Sequence, residues 1–306
     1  MSEHFHIGVD IGGTKINMGL MDDSGQILIK MKIPTAAGSN YEDILDKVLD
    51  CVDDMLGNSG LKQTDVTSIG FGVPGTVDRS TGTVLFAPNL NWANIPLAQY
   101  IEKCSPYHVY MSQDTQAAAW GEFLSGAGRG CTEMACITLG TGVGCGIIIG
   151  GHIYRGGLNT AGEIGHIIVE RDGRLCNCGR RGCLEAYAGG AAMARIASED
   201  LGISLTTKDV FAMAKAGDEY AGRLIEDATQ YIGMGLVSLL NLLSPQKIII
   251  SGGMSMEDEL FVQPIIRFVK EHGYSLAVQR VAIEKAHLGE DAPMIGAALL
   301  YRENLQ

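Results

Sequence analysis

The 306-residue chain is poor in positive charge, with 23 Lys and Arg against 35 Asp and Glu, a net charge of −12. A surface built for DNA carries a basic stripe, so nucleic acid is not an expected partner. Phosphorylated small molecules stay open, because local backbone dipoles can hold them. Long apolar runs are missing as well, and nothing reaches the length needed to span a bilayer. The opening MSEHFHIGVD has neither a basic n-region nor an apolar core, so no secretory signal and a cytoplasmic location are expected. No Walker sequence G-x-x-x-x-G-K-[ST] occurs, and no Pro/Ser-rich linker divides the chain. What remains is 46% apolar and 19% charged, a globular composition long enough for two domains.

Apolar patterning gives an α/β alternation. Strands are expected at Phe5–Ile11, Ile16–Met21, Gln26–Ile33, Val66–Val73, Val109–Met111, Met134–Leu139, Cys145–Ile149, Lys247–Ile250 and Arg280–Ile283. Helices are expected at Tyr41–Leu56, closed by Gly57, and at Thr115–Leu124 with Asp114 as N-cap. Further helices are expected at Ala186–Asp200, Asp218–Leu243, Glu257–Glu271 and Pro293–Tyr301, with Thr76–Ala98 loop-rich. VDIGGTKINMGL and ITLGTGVGCGII echo each other: apolar strand, glycine turn with a threonine, apolar strand. This suggests two related halves.

Thr160–Glu185, TAGEIGHIIVERDGRLCNCGRRGCLE, concentrates the metal-binding residue types. Cys176, Cys178 and Cys183 are spaced C-x-C-x4-C, and His166 lies ten residues before the first. Thiolates and imidazole are the ligands of closed tetrahedral zinc sites, and Gly179 and Gly182 permit the tight folding that brings sulfurs together. A strained disulfide and a chance cluster are the other readings. Cys51, Cys104, Cys131, Cys136 and Cys145 read as small core hydrophobes in a reducing compartment.

Three glycine turns leave apolar strands: Gly12-Gly13-Thr14-Lys15, Gly140-Thr141-Gly142-Val143-Gly144 and Gly252-Gly253. Turns without Cβ atoms let backbone N–H groups approach phosphate oxygens. Each alone is more often just a tight hairpin; three in one chain, two carrying Thr, shift the reading towards phosphate. Asp10, beside the first turn, is placed to hold Mg2+ through water or simply to cap the turn.

DIGGTK, LGTGVGCG and SGGMS resemble the phosphate and adenosine motifs of the sugar-kinase, hexokinase and actin superfamily. LGTGVGCGIIIGGHIYRGGLNTAGEIGH followed by CNCGRRGCLE is similar to the signature of the ROK family of repressors and kinases. The motifs run in order from Asp10 to Ser255, nearly the whole chain. The resemblance implies two ribonuclease-H-like domains closing over a hexose and ATP·Mg, and a homodimer. The expected division is a small domain of residues 1–113 plus a C-terminal helix near 294–306, and a large domain of 114–293. It implies Asp114, in MSQDTQAAAWGE, as the base for the attacking hydroxyl. Asn89, Gln113, Glu163, His166 and Glu185 match sugar contacts. His166 would serve twice, on the sugar and on a structural zinc with Cys176, Cys178 and Cys183. The three turns would hold ATP.

Family glucokinases usually carry Asn-Asp-Ala-Asn where this chain has Gln113-Asp114-Thr115-Gln116. A side chain one methylene longer beside the base bears on which hydroxyl is recognised. Glucose is therefore one expectation among allose, mannose, fructose and N-acetylmannosamine. A sugar-responsive regulator of the same family is the other class considered. Such regulators carry an N-terminal helix-turn-helix, for which no room is expected before Asp10.

Overall fold

A computed structural model describes residues 4–35 and 40–304. Its first five-stranded sheet has the order β3-β2-β1-β4-β8. The strands are β1 Phe5–Ile11, β2 Lys15–Asp22, β3 Ile27–Pro34, β4 Val66–Val73 and β8 His108–Gln113. β1 runs antiparallel to β2 and parallel to β4, and β4 runs parallel to β8. β1 and β4 are buried along almost their whole length, as central strands covered on both faces require. β3, at the edge, alternates half-buried and exposed residues.

Between β4 and β8, the segment expected to be loop-rich folds into a small antiparallel sheet. It comprises β5 Thr76–Asp78, β6 Thr83–Ala87 and β7 Trp92–Ile95. Its strands are too short to show a clear alternation, and Asn91 and Asn94 sit at φ of 56° and 55°. Such asparagine turns read as loop in a sequence.

The second sheet repeats the first: β11-β10-β9-β12-β13. Its strands are β9 Met134–Leu139, β10 Val143–Ile149, β11 His152–Ile153, β12 Lys247–Ser251 and β13 Ala282–Lys285. Again the first strand meets its fourth in parallel, and the fourth meets the fifth in parallel. The echo between the two glycine turns is therefore a duplicated topology, with each turn joining the first and second strands of its sheet.

Helices follow as α1 Tyr41–Ser59, α2 Leu97–Cys104, α3 Asp114–Ser125, α4 Glu185–Ala188 and α5 Gly190–Leu201. They continue as α6 Thr207–Lys215, α7 Glu219–Leu243, α8 Gln263–His272, α9 Ser275–Val278 and α10 Ala292–Ala298. α1 runs past Gly57 and stops at Gly60, which takes the left-handed conformation at φ 72°. Gln113 is the N-cap residue of α3 and makes no side-chain cap bond; Asp114 is the first helical residue. α6 was not expected, although Thr206 and Asp209 form a capping box before it. Before α8, residues Asp258–Val262 form a wider π turn instead of regular helix. The C-terminal helix is α10 plus a 3-10 stretch, Leu299–Asn304; residues 305–306 lie outside the described ones.

Two compact units result. The first holds residues 1–130, 146–161 and 290–306; the second holds 131–145 and 162–289. The line expected at 113/114 falls inside the first unit, because α3 packs on α10 and β4 there. Glycines set that packing. A Cβ on Gly70 would lie 1.8 Å from Ala297 O, one on Gly8 2.0 Å from Met294 O, and one on Gly296 1.7 Å from Ala117 O. α10 thus sits backbone to backbone against β1, β4 and α3. Trp120, fully buried on α3, adds a bond from Nε1 to Leu299 O at 2.9 Å. Of the cysteines outside the knuckle, Cys51, Cys131, Cys136 and Cys145 are buried; Cys104, at the end of α2, is exposed, against expectation.

Candidate active site

In the first glycine turn, Gly12 N–H closes on Lys15 O at 2.9 Å. The carbonyls of Gly12 and Thr14 accept from Thr35, through its Oγ1 at 2.7 Å and its N–H at 3.0 Å. Among the described residues, no partner is found for the N–H groups of Gly13 and Thr14. The second turn has the same construction. Gly140 N–H closes on Gly142 O at 3.1 Å. The carbonyls of Gly140 and Thr141 accept from Gly190 N–H at 2.8 Å and Ala191 N–H at 3.0 Å. Thr141 and Gly142 N–H are left without partners among the described residues. Each turn thus ties back its acceptors and leaves two adjacent donors, which suits an anion. In the third turn, Gly252 has φ 89° and lies against the end of β9, where a Cβ would be 2.3 Å from Leu139 O. A Cβ on Gly253 would meet nothing.

Asp10 faces Asn17 across the β1–β2 register, and Asn17 Nδ2 donates to Asp10 Oδ2 at 3.1 Å. Burial raises the Asp10 carboxyl above its ordinary range, partly opposed by Asn17 and Lys15. A half-buried carboxylate of this kind gains from a nearby cation, so it fits Mg2+. Lys15 Nζ donates to Glu290 Oε2 at 2.9 Å, an exposed pair. Asn17 and Glu290 were missed in the sequence. Counting the hairpin register out from the turn would have found Asn17; Glu290, 275 residues from Lys15, left no local signal.

Asp114 stands where β8 passes into α3, and its Oδ1 accepts from Thr115 N–H at 2.7 Å. The helix N-terminus favours a negative charge there. Gln116, one of the three departures from the glucokinase pattern, is buried, and its Oε1 accepts from Ser112 Oγ at 3.0 Å. It is thus absorbed into the core. Asn89, in the 3-10 turn Pro88–Leu90, approaches the first glycine turn: a Cβ on Gly13 would be 3.2 Å from its carbonyl oxygen.

In the second unit, the ligand atoms of His166, Cys176, Cys178 and Cys183 all lie within 4.8 Å of one another. Cys178 Sγ is 3.7 Å from Cys183 Sγ, and Cys176 Sγ is 3.8 Å from His166 Nδ1. No disulfide has such spacing. Ligands about 2.3 Å from a shared tetrahedral centre stand about 3.8 Å apart, so the residues fit zinc. The loop is shaped by Gly179 and Gly182 at φ of 82° and 79° and by the bond from Cys176 N–H to Arg180 O at 2.8 Å. His166 Nε2 turns the other way, 3.9 Å from Glu163 Oε2. Glu185, two residues past Cys183, accepts from Val143 N–H through Oε2 at 3.0 Å. The knuckle, the Glu163–His166 pair and the second glycine turn are therefore one connected structure.

Two sheets of like order, each with a glycine-rich turn between its first two strands, define the actin-like ATPase fold. The chain belongs to the ROK family, whose sequence model matches residues 6–304. It is 37% identical to a glucokinase of Halalkalibacterium halodurans, over 99% of this chain and 96% of that protein. A ROK glucokinase of Streptomyces griseus, solved with glucose and AMPPNP, superposes with a TM-score of 0.81 at 38% identity, covering 98% of this chain and 99% of that one. A ROK hexokinase of Thermus thermophilus gives a TM-score of 0.85 at 30% identity, with coverage of 98% and 99%.

Proposed function

We propose that this protein is an ATP-dependent hexose kinase, glucokinase-like, transferring the γ-phosphoryl group to the 6-hydroxyl with Asp114 as base. The observation that carries the reading is the matched pair of glycine turns, each with two adjacent main-chain donors open to a phosphate. Phosphoryl transfer is catalysed mainly by positioning and electrostatics, which fixed amides supply without reorganisation. Asp114 orients the sugar hydroxyl and takes its proton as the oxygen attacks. Asn89, Gln113, Glu163, His166 and Glu185 bind the other hydroxyls, the carboxylates each accepting two hydrogen bonds. Bound Mg2+ would neutralise charge on the phosphates, with Asp10 as its nearest carboxylate. Cys176, Cys178, Cys183 and His166 Nδ1 would hold a structural zinc, which would fix the His166 ring and leave Nε2 for the sugar. A cytoplasmic homodimer is part of the same reading, and sedimentation at micromolar concentration tests that state.

A coupled assay across a hexose panel tests the activity, with Asp114→Asn beside the parent chain. The expected loss in turnover is about 10²–10⁴-fold, the size of a general-base contribution. Near-normal turnover in Asp114→Asn refutes the base assignment. Gln113 favours a second reading within the same chemistry, in which allose, mannose, fructose or N-acetylmannosamine is preferred over glucose. The panel ranks them directly.

A further inference from the structure

The first unit contains a cavity of about 680 Å³ lined by the β5–β6 turn, α2 and the start of β8. None of the turns, carboxylates or thiols described above lines it. Its charged lining is Arg79, Lys103, His108 and Glu102. The one carboxylate is already engaged: Glu102 Oε1 accepts from Val109 N–H at 3.2 Å and lies 3.3 Å from His108 Nδ1. Behind Arg79 lies an ion cluster short of negative charge. Glu303 is gripped by both terminal nitrogens of Arg155, with Nη2 at 2.7 Å, and the same carboxylate meets Arg79 Nη2 at 3.1 Å. The side chains of Arg155 and Glu303 are only 10% and 8% exposed. One carboxylate thus serves two guanidiniums, and a whole positive charge is left at the cavity wall. Burial, then the charge of Arg155, holds the Arg79 guanidinium below its ordinary range. In a chain of net charge −12, a mostly buried positive excess beside a cavity is a feature that needs an anion.

We propose that this cavity binds the phosphate monoester of a small polyol, a sugar phosphate, with the ester dianion on Arg79 and Lys103. Its volume exceeds the needs of a lone phosphate and falls in the ordinary small-molecule range. Thr81 and Gln99 supply neutral hydrogen-bonding groups for hydroxyls. The site has a direct line to the base. Val109 lies on β8, which ends at Gln113, the residue before Asp114. The opposite wall, the β5–β6 turn, leads through β6 to Asn89. A ligand bridging the two walls braces both elements, so occupancy changes hexose handling without touching it.

The test is calorimetric titration of the full chain with glucose 6-phosphate and, separately, with inorganic phosphate, at constant ionic strength and saturating glucose. Glucose fills the hexose site if the kinase reading is right and changes nothing if it is wrong, so the two proposals fail separately. Saturable binding of the ester is expected, tighter than that of phosphate, and weakened about tenfold or more in both Arg79→Gln and Lys103→Gln. Lys103 is exposed, so its variant reads out even if Arg79→Gln melts. Equal ester affinity in Lys103→Gln and the parent chain, or no saturable binding at all, overturns the site. Phosphate binding as tightly as the ester overturns the assignment to a sugar phosphate.

Discussion

Replacing Gly142 by alanine separates site from scaffold. Gly142 does not have a left-handed φ, so alanine is tolerated by the backbone. The added Cβ would stand 2.3 Å from Glu185 Oε2. That atom is the end of a flexible, half-buried side chain, so the carboxylate swings away and the clash is relieved. The stability cost is the bond from Val143 N–H, about 0.5–1.5 kcal/mol for an ordinary bond and up to about 3 for a charged acceptor. Water at the half-open site recovers part of it, and alanine returns about 0.4–1 kcal/mol through the unfolded chain. The net change in stability is thus about 1 kcal/mol or less. The site suffers more. A displaced Glu185 forfeits its charge-assisted bonds to sugar hydroxyls, about 1.5–3 kcal/mol, or roughly tenfold to 150-fold in hexose affinity. Urea unfolding and hexose KM, measured on the same preparation, test the pair of numbers. A Gly142→Ala protein with unchanged KM refutes the placement of Glu185 in the sugar site. One that loses several kcal/mol refutes the claim that only a side chain moves.

Other perturbations have equally definite outcomes. Removing metal with a strong chelator, or making Cys178→Ser, is expected to lower both the melting temperature and hexose affinity; metal analysis should return one zinc per chain, and a metal-free protein of full affinity refutes the site. Gly296→Ala has no such escape, because its Cβ would meet the Ala117 carbonyl at 1.7 Å. A loss of about 3 kcal/mol or more in urea unfolding is expected, at the upper end for overpacking. Acid is expected to weaken the first unit through His6, which is buried, with Nδ1 2.7 Å from Ser68 Oγ, Nε2 3.0 Å from Asp23 Oδ1, and its ring stacked on Tyr301. Burial lowers its pKa beneath the ordinary 6.5. The unfolded chain therefore takes up the proton first, and stability falls as pH drops through that value until the folded histidine also titrates. Urea midpoints from about pH 7 to about pH 5 should slope in the parent chain and flatten in His6→Asn.

What could be read from the sequence was local. β1, β4 and β9 were found to the residue because centrally buried strands are continuous apolar runs with hard stops. The zinc-type cluster was legible because its cysteines lie within eight residues and its glycines reveal the fold of the loop. The small β5–β7 sheet was not, since strands of three to five residues, with left-handed asparagines before and within β7, carry no periodicity. Gly142 was chosen for phosphate approach, while its contact with Glu185, 43 positions on, belongs to the tertiary fold alone. Gln116 stood out as a departure from a sugar-binding pattern, and only its bond to Ser112 places it in the interior.

The route of the chain through α10 has a consequence for birth on the ribosome. Residues 162–289 are continuous and contain most of the second unit, whereas the first unit lacks a wall of its interior until residues 290–304 emerge. In chain order the first unit starts before the second, yet it is completed after it. Until residues 290–304 have emerged, β1 and β4 present bare glycine backbone at Gly8 and Gly70 where α10 belongs.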